Sequence, residues 1–125
     1  MRNETENGKK RSVLKEKSYA FALRIVKLSQ YLAKEHKEYV LSKQVLRSGT
    51  SIGANLEEAF QGQSALDFIH KLSIANKEAF ETHYWLRLLR DSDILTKEQA
   101  VSLLADCDEL QRMLVSAIKT SKSKL

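Results

Sequence analysis

Three kinds of side chain in this sequence could do chemistry: carboxylates near histidines, hydroxyls beside glycines, and one cysteine. A di-iron centre in a helical bundle takes a Glu-x-x-His pair from each of two helices and a further Glu from each of the others. No glutamate here has a histidine three residues later. Glu81 and His83 are two apart and belong to different helix faces, and His36 and His70 have no matching motif. Ser48, Thr50 and Ser51 have no histidine nearby in sequence, and the glycines beside them lack the Gly-Lys-Ser/Thr ending of a phosphate loop. Cys107 falls on an apolar helical seam and reads as a small core residue. A lone cysteine forms no internal disulfide, and no Cys/His spacing suggests zinc. The expectation is therefore no enzyme, no metal and no cofactor.

The basic residues say more. Residues 1–17 carry six Lys/Arg against three acids, a net +3, and residues 18–37 carry four against one, again +3. Residues 38–90 balance at six against six. Residues 91–111 hold one Lys against six acids, and 112–125 hold four basic residues and no acid. Both ends are basic, which suits a polyanion such as RNA or DNA. A net charge of +5 also serves solubility alone. The candidate phosphate contacts are Lys9, Lys10, Arg11, Lys15, Arg24, Lys27, Lys119, Lys122 and Lys124.

Composition limits what can position these groups. A chain of 125 residues and 14.3 kDa is one domain, expected over 1–125. It contains four glycines and no proline, so the turn residues that a many-stranded sandwich needs are missing. No apolar run approaches the roughly 20 residues that cross a bilayer. Residues 1–17 lack the apolar core of a signal peptide, so a cytoplasmic protein without a membrane partner is expected.

Four amphipathic segments carry apolar residues at three- and four-residue spacing. The first runs from about Ser12 to Lys34, with Leu14, Phe21, Ile25, Leu28 and Leu32 on one seam and Ser18 in its gap. The stretch 36–39 breaks the pattern. The second runs from about Leu41 to Phe60. The third opens at Ser64 with Asp67 three residues on, and the fourth at Thr96 with Gln99, both capping signatures. Asp91-Ser92-Asp93 closes the third. Residues 1–10 and 120–125 are polar and expected to fray, leaving an ordered core over about 12–119. Short connections make neighbours antiparallel. The expected fold is all-α, an up-down-up-down four-helix bundle.

The second segment contains Arg47, Ser48, Gly49, Ser51, Ile52, Gly53 and Asn55, a run poor in helix formers. Two interior glycines cost about 1 kcal/mol each relative to alanine, so close packing must offset them. Gly49 and Gly53 stack on one side, facing either the first or third helix or another subunit. Glu57 and Glu58 follow Asn55, and Glu78 and Glu81 lie between Ile74 and Trp85 on the third segment. These four glutamates form either a polar layer between the second and third helices or a solvated flank. If the layer forms, Glu78 is expected to be mostly buried and hydrogen-bonded.

The run Leu46-Arg47-Ser48-Gly49-Thr50-Ser51-Ile52-Gly53-Ala54-Asn55-Leu56-Glu57-Glu58-Ala59 is distinctive. So are Ser64 to Leu72, Ile74 to Ala79 and Glu81 to Leu86. Over about residues 18–118 the sequence resembles the bacterial four-helix-bundle proteins named after the open reading frame in 23S rRNA intervening sequences. Glu57-Glu58-Ala59 departs from the Glu-Gly of many members and matches one subgroup. The resemblance implies a bundle assembled into a homopentameric ring. A related bundle, the accessory protein of diversity-generating retroelements, is a basic pentamer that binds nucleic acid and a reverse transcriptase. The resemblance supplies no catalytic residue. It assigns Gly49, Gly53 and Asn55 to a motif that builds the bundle and its subunit contact. Two functions follow as expectations: an oligomeric scaffold binding RNA or DNA, or an adaptor docking another protein without nucleic acid.

Overall fold

Capping chemistry sets the helix boundaries. A computed structural model of the chain describes residues 4–125, with α1 at Glu4–His36, α2 at Leu41–Phe60, α3 at Ala65–Asp91 and α4 at Lys97–Lys122. Ser64 accepts from the Asp67 amide at 3.0 Å and starts α3. At α4, the Gln99 amide donates to Thr96 Oγ1 at 3.2 Å while the Thr96 amide donates to Gln99 Oε1 at 3.0 Å, a reciprocal capping box. Lys37 adopts a left-handed φ of 54° and the Glu38 amide returns to the Leu32 carbonyl at 3.0 Å, which closes α1. The Glu38 carboxylate then accepts from the Ser42 amide at 2.9 Å and starts α2. Asp93, at φ 62°, makes the corresponding turn after α3.

Two expectations about the ends are corrected. The helix begins at Glu4 rather than near Ser12, and α4 continues to Lys122. Residues 4–13 show no apolar period, but their Glu, Lys and Arg residues are good helix formers. The Arg11 guanidinium lies 4.5 Å from the centre of the Phe68 ring and ties this turn to α3. The expected fraying of residues 1–3 lies outside the described residues.

Each helix packs on its two neighbours around the bundle, in the order α1, α2, α3, α4, and the α1–α4 contact is the thinnest. This is the expected up-down-up-down arrangement. The buried seam of α1 is Leu14, Ser18, Phe21, Ile25, Leu28 and Leu32, as its spacing predicts. It meets Val45, Ile52 and Leu56 of α2, Leu72, Ala79 and Leu86 of α3, and Leu103, Cys107 and Leu110 of α4 in one core. Among the described residues no helix is long and apolar enough to cross a membrane.

Candidate nucleic-acid interface

Because α1 and α4 are antiparallel, the N-terminal and C-terminal basic segments meet at the same end of the bundle. There Lys9, Lys10 and Arg11 of α1 and Arg112 of α4, with Lys124 just beyond it, line a groove of about 470 Å³. Its floor includes Leu14, Phe60, Leu72 and Met113. Among the described residues, none of those five cations is held in an ion pair. Lys119 lines the adjoining hollow with Arg112, and Lys122 closes the last turn of α4.

Three of the nine candidates do not join this cluster. Lys15 reaches Glu57 at 3.4 Å. Arg24 donates to Asp106 at 2.6 Å and to Ser102 Oγ at 3.0 Å, bracing α1 against α4. Lys27 lines a separate hollow with Arg24 and Tyr31. Sequence reasoning missed Arg112, although it opens the acid-free 112–125 segment.

The α2 motif divides by side-chain direction. A Cβ on Gly49 would lie 2.8 Å from both Cγ atoms of Ile25, and one on Gly53 would lie 3.5 Å from Ser18 Oγ. Both glycines thus face α1 of the same chain, the first of the alternatives that their spacing leaves open. The gap that Ser18 leaves in the α1 seam is filled by the close approach of α2 at Gly53. Ser48 is buried and lies 2.9 Å from Thr82 Oγ1, a hydroxyl pair between α2 and α3. Ile52 is in the core. Ser51 Oγ donates to the Arg47 carbonyl at 2.6 Å and Asn55 Nδ2 to the Ser51 carbonyl at 2.8 Å. Such bonds to carbonyls four residues back keep these polar groups compatible with a helix.

Half of the polar layer exists. Glu81 accepts from Arg47 at 2.8 Å and from Trp85 Nε1 at 3.0 Å. The Glu78 side chain is 20% exposed, with Oε1 at 3.9 Å from Arg47 Nη1. Its Oε2 is buried with no hydrogen-bond partner, so the expected burial is found but the expected hydrogen bonding is not. Glu57 and Glu58 are not in the layer; more than half exposed, they pair with Lys15 and Lys71 on the flank. They follow the buried Leu56 by one and two positions, and the helical rotation carries them off the core face.

Burial pushes the Glu78 carboxyl above its ordinary 4.5, with Arg47 pulling it down and Glu81 pushing it up. Between 4.5 and the raised folded value the native state binds more protons than the unfolded state, so stability falls as pH rises through that window. Glu78→Gln removes this decline and leaves the protein at least as stable at pH 7. Denaturant midpoints at pH 5 and pH 7 check it; a variant weaker than the parent at pH 7 contradicts the account.

The potential nucleophile and base have structural placements. Burial, and then Asp108 and Asp106, push the Cys107 thiol up to about 12, and it donates to the Ala79 carbonyl at 3.3 Å. His83 Nδ1 accepts from Arg87 Nε at 3.0 Å, and Nε2 lies 3.1 Å from Asp108, joining α3 to α4. Among the described residues, no three His, Cys, Asp or Glu side chains gather as a metal ion would need.

Comparison with known proteins agrees with this fold. The family model described as 23S rRNA-intervening sequence protein matches residues 10–116. A search of curated proteins found no match. Among solved structures, a protein of unknown function from the S23 ribosomal protein family of Bacteroides thetaiotaomicron VPI-5482 is 55% identical. The similarity covers 88% of this chain and 98% of that one, with a TM-score of 0.87. With the family model spanning nearly the whole bundle, the chain belongs to the 23S rRNA-intervening sequence protein family.

Proposed function

We propose that this protein is a non-enzymatic, cytoplasmic scaffold that binds structured RNA or DNA through the basic end of its bundle. The observation that carries the reading is convergence: the described part of the basic segment at residues 1–17 and the +4 segment at 112–125 meet at one end. There Lys9, Lys10, Arg11, Arg112 and Lys124 line one groove, and among the described residues no carboxylate lines it. Cations of this kind contact phosphate oxygens, which give affinity with little sequence preference. A gel shift with structured rRNA fragments tests it. Retention at low salt should weaken steeply by moderate salt, with a log–log slope of about −0.9 per duplex phosphate contact. No retardation at low salt removes the proposal.

The assembly we propose is the homopentamer that the family resemblance implies, repeating the basic end around a ring and multiplying the field a polyanion meets. Phe80, Tyr84 and Leu88, four residues apart along α3, are 58%, 47% and 36% exposed and supply an apolar strip for such a contact. The same strip favours the second reading, an adaptor docking a different protein. Light scattering separates them: a mass of five chains supports the ring, and a monomer that retains a protein partner after nuclease treatment supports the adaptor.

A further inference from the structure

The groove at the basic end has a feature that phosphate contacts alone do not use, its apolar floor. We propose that it is a binding site for single-chain anionic amphiphiles, with an alkyl chain lying on the floor and a carboxylate or phosphate head held by the rim. The volume of about 470 Å³ lies within the roughly 300–1,000 Å³ of small-molecule sites. Leu14, Phe60, Leu72, Met113 and Ala117 offer no charge to the interior. Lys9, Lys10, Arg112 and Lys124 stand at its rim, and among the described residues no carboxylate lines it. The Arg11 guanidinium covers the Phe68 ring at 4.5 Å, so this cation already lies across an apolar surface.

Charge and polarity select the occupant. A cationic amphiphile would meet like charge along the rim that α1 and the end of α4 supply. A nucleobase would set most of its polar edge against Leu14, Leu72 and Met113, with only the hydroxyls of Ser116, Thr120 and Ser121 in the lining to meet it, and polar edges buried without hydrogen bonds are unfavourable. An alkyl chain has no such edges, and an anionic head complements the rim. The inference does not depend on the nucleic-acid reading, although the two share the rim.

The chain contains two methionines, Met1 and Met113, so a methyl-labelled sample reports on the groove through one of only two resonances. The full-length protein is titrated with laurate and dodecyl phosphate below their micelle concentrations. The Met113 methyl should shift saturably with both, while dodecyltrimethylammonium leaves it in place. From octanoate to decanoate to laurate, affinity should rise about fourfold per methylene. Ala117→Phe, which fills the floor, should weaken laurate at least about tenfold. The homologue series on the parent protein keeps the test intact if that variant does not fold. A Met113 methyl unmoved by either anion, an equal response to the cationic amphiphile, or a flat dependence on chain length overturns the inference. Absence of laurate binding alongside RNA retention refutes only this site. Laurate binding without RNA retention refutes only the scaffold reading.

Discussion

Gly49→Ala should destabilise the bundle by about 1 kcal/mol, although alanine is the better helix former. The added Cβ would lie 2.8 Å from Ile25 Cγ1 and Cγ2 and 3.2 Å from its Cβ. Ile25 is fully buried and β-branched, with one strongly preferred helical rotamer, so it has no free arm to swing aside. Overpacking of this kind costs about 1–3 kcal/mol, while the gain in helix propensity offsets about 1 kcal/mol. Gly53→Ala is the contrasting case. Its Cβ would meet Ser18 Oγ at 3.5 Å, an ordinary contact, so the substitution should be neutral or stabilising by up to about 1 kcal/mol. Gly53→Leu reaches further into the α1 backbone and should disrupt the bundle. Denaturant midpoints of the three variants check the account. Adding Ile25→Ala, which removes both clashing Cγ atoms, to Gly49→Ala should cost less than the sum of the two single losses, because the two sites share one contact. A Gly49→Ala protein as stable as its parent would mean that α1 and α2 are not this close.

The second large effect concerns the basic end. Lys9→Glu, Arg112→Glu and Lys124→Glu together should weaken RNA retention by at least about a hundredfold at low salt. The salt slope should flatten by about 0.7–0.9 for each phosphate contact removed. These side chains are in no ion pair among the described residues, so their reversal leaves the bundle folded. Arg24→Gln should lower RNA affinity by less than about threefold, because Arg24 is engaged with Asp106 and Ser102. Exposed ion pairs of this kind contribute only about 0–1 kcal/mol, so its stability changes little. A loss from Arg24→Gln as large as that from the triple reversal would show that the polyanion lies along the α1–α4 flank rather than at this end of the bundle.

The helix boundaries were legible because caps announce themselves locally: Ser64 with Asp67, Thr96 with Gln99, and the break after His36. The start of α1 was not, because an exposed helical turn of Lys, Glu and Arg has no apolar period to read. Its anchor, Arg11 on Phe68, spans two helices. The small-residue run in α2 announced close packing but not the partner. Gly49 and Gly53 differ in consequence because one faces the branched Ile25 and the other Ser18, which only the packed register reveals. The glutamates divided in the same way. Glu78 and Glu81 keep the spacing of Ile74 and Trp85, whereas Glu57 and Glu58 rotate away from the core. For the basic candidates the sequence gives segments, but Lys15 with Glu57 and Arg24 with Asp106 pair across helices. The groove is less visible still, since its walls come from all four helices.

The central claim, that the joined ends of α1 and α4 hold the polyanion, is tested most directly by photocrosslinking. Bound RNA is irradiated on the full-length protein and the linked peptides are sequenced. The account predicts crosslinks confined to residues 9–14 and 112–124. Crosslinks concentrated on the Phe80, Tyr84 and Leu88 strip of α3, or on Arg24 and Lys27, would contradict it.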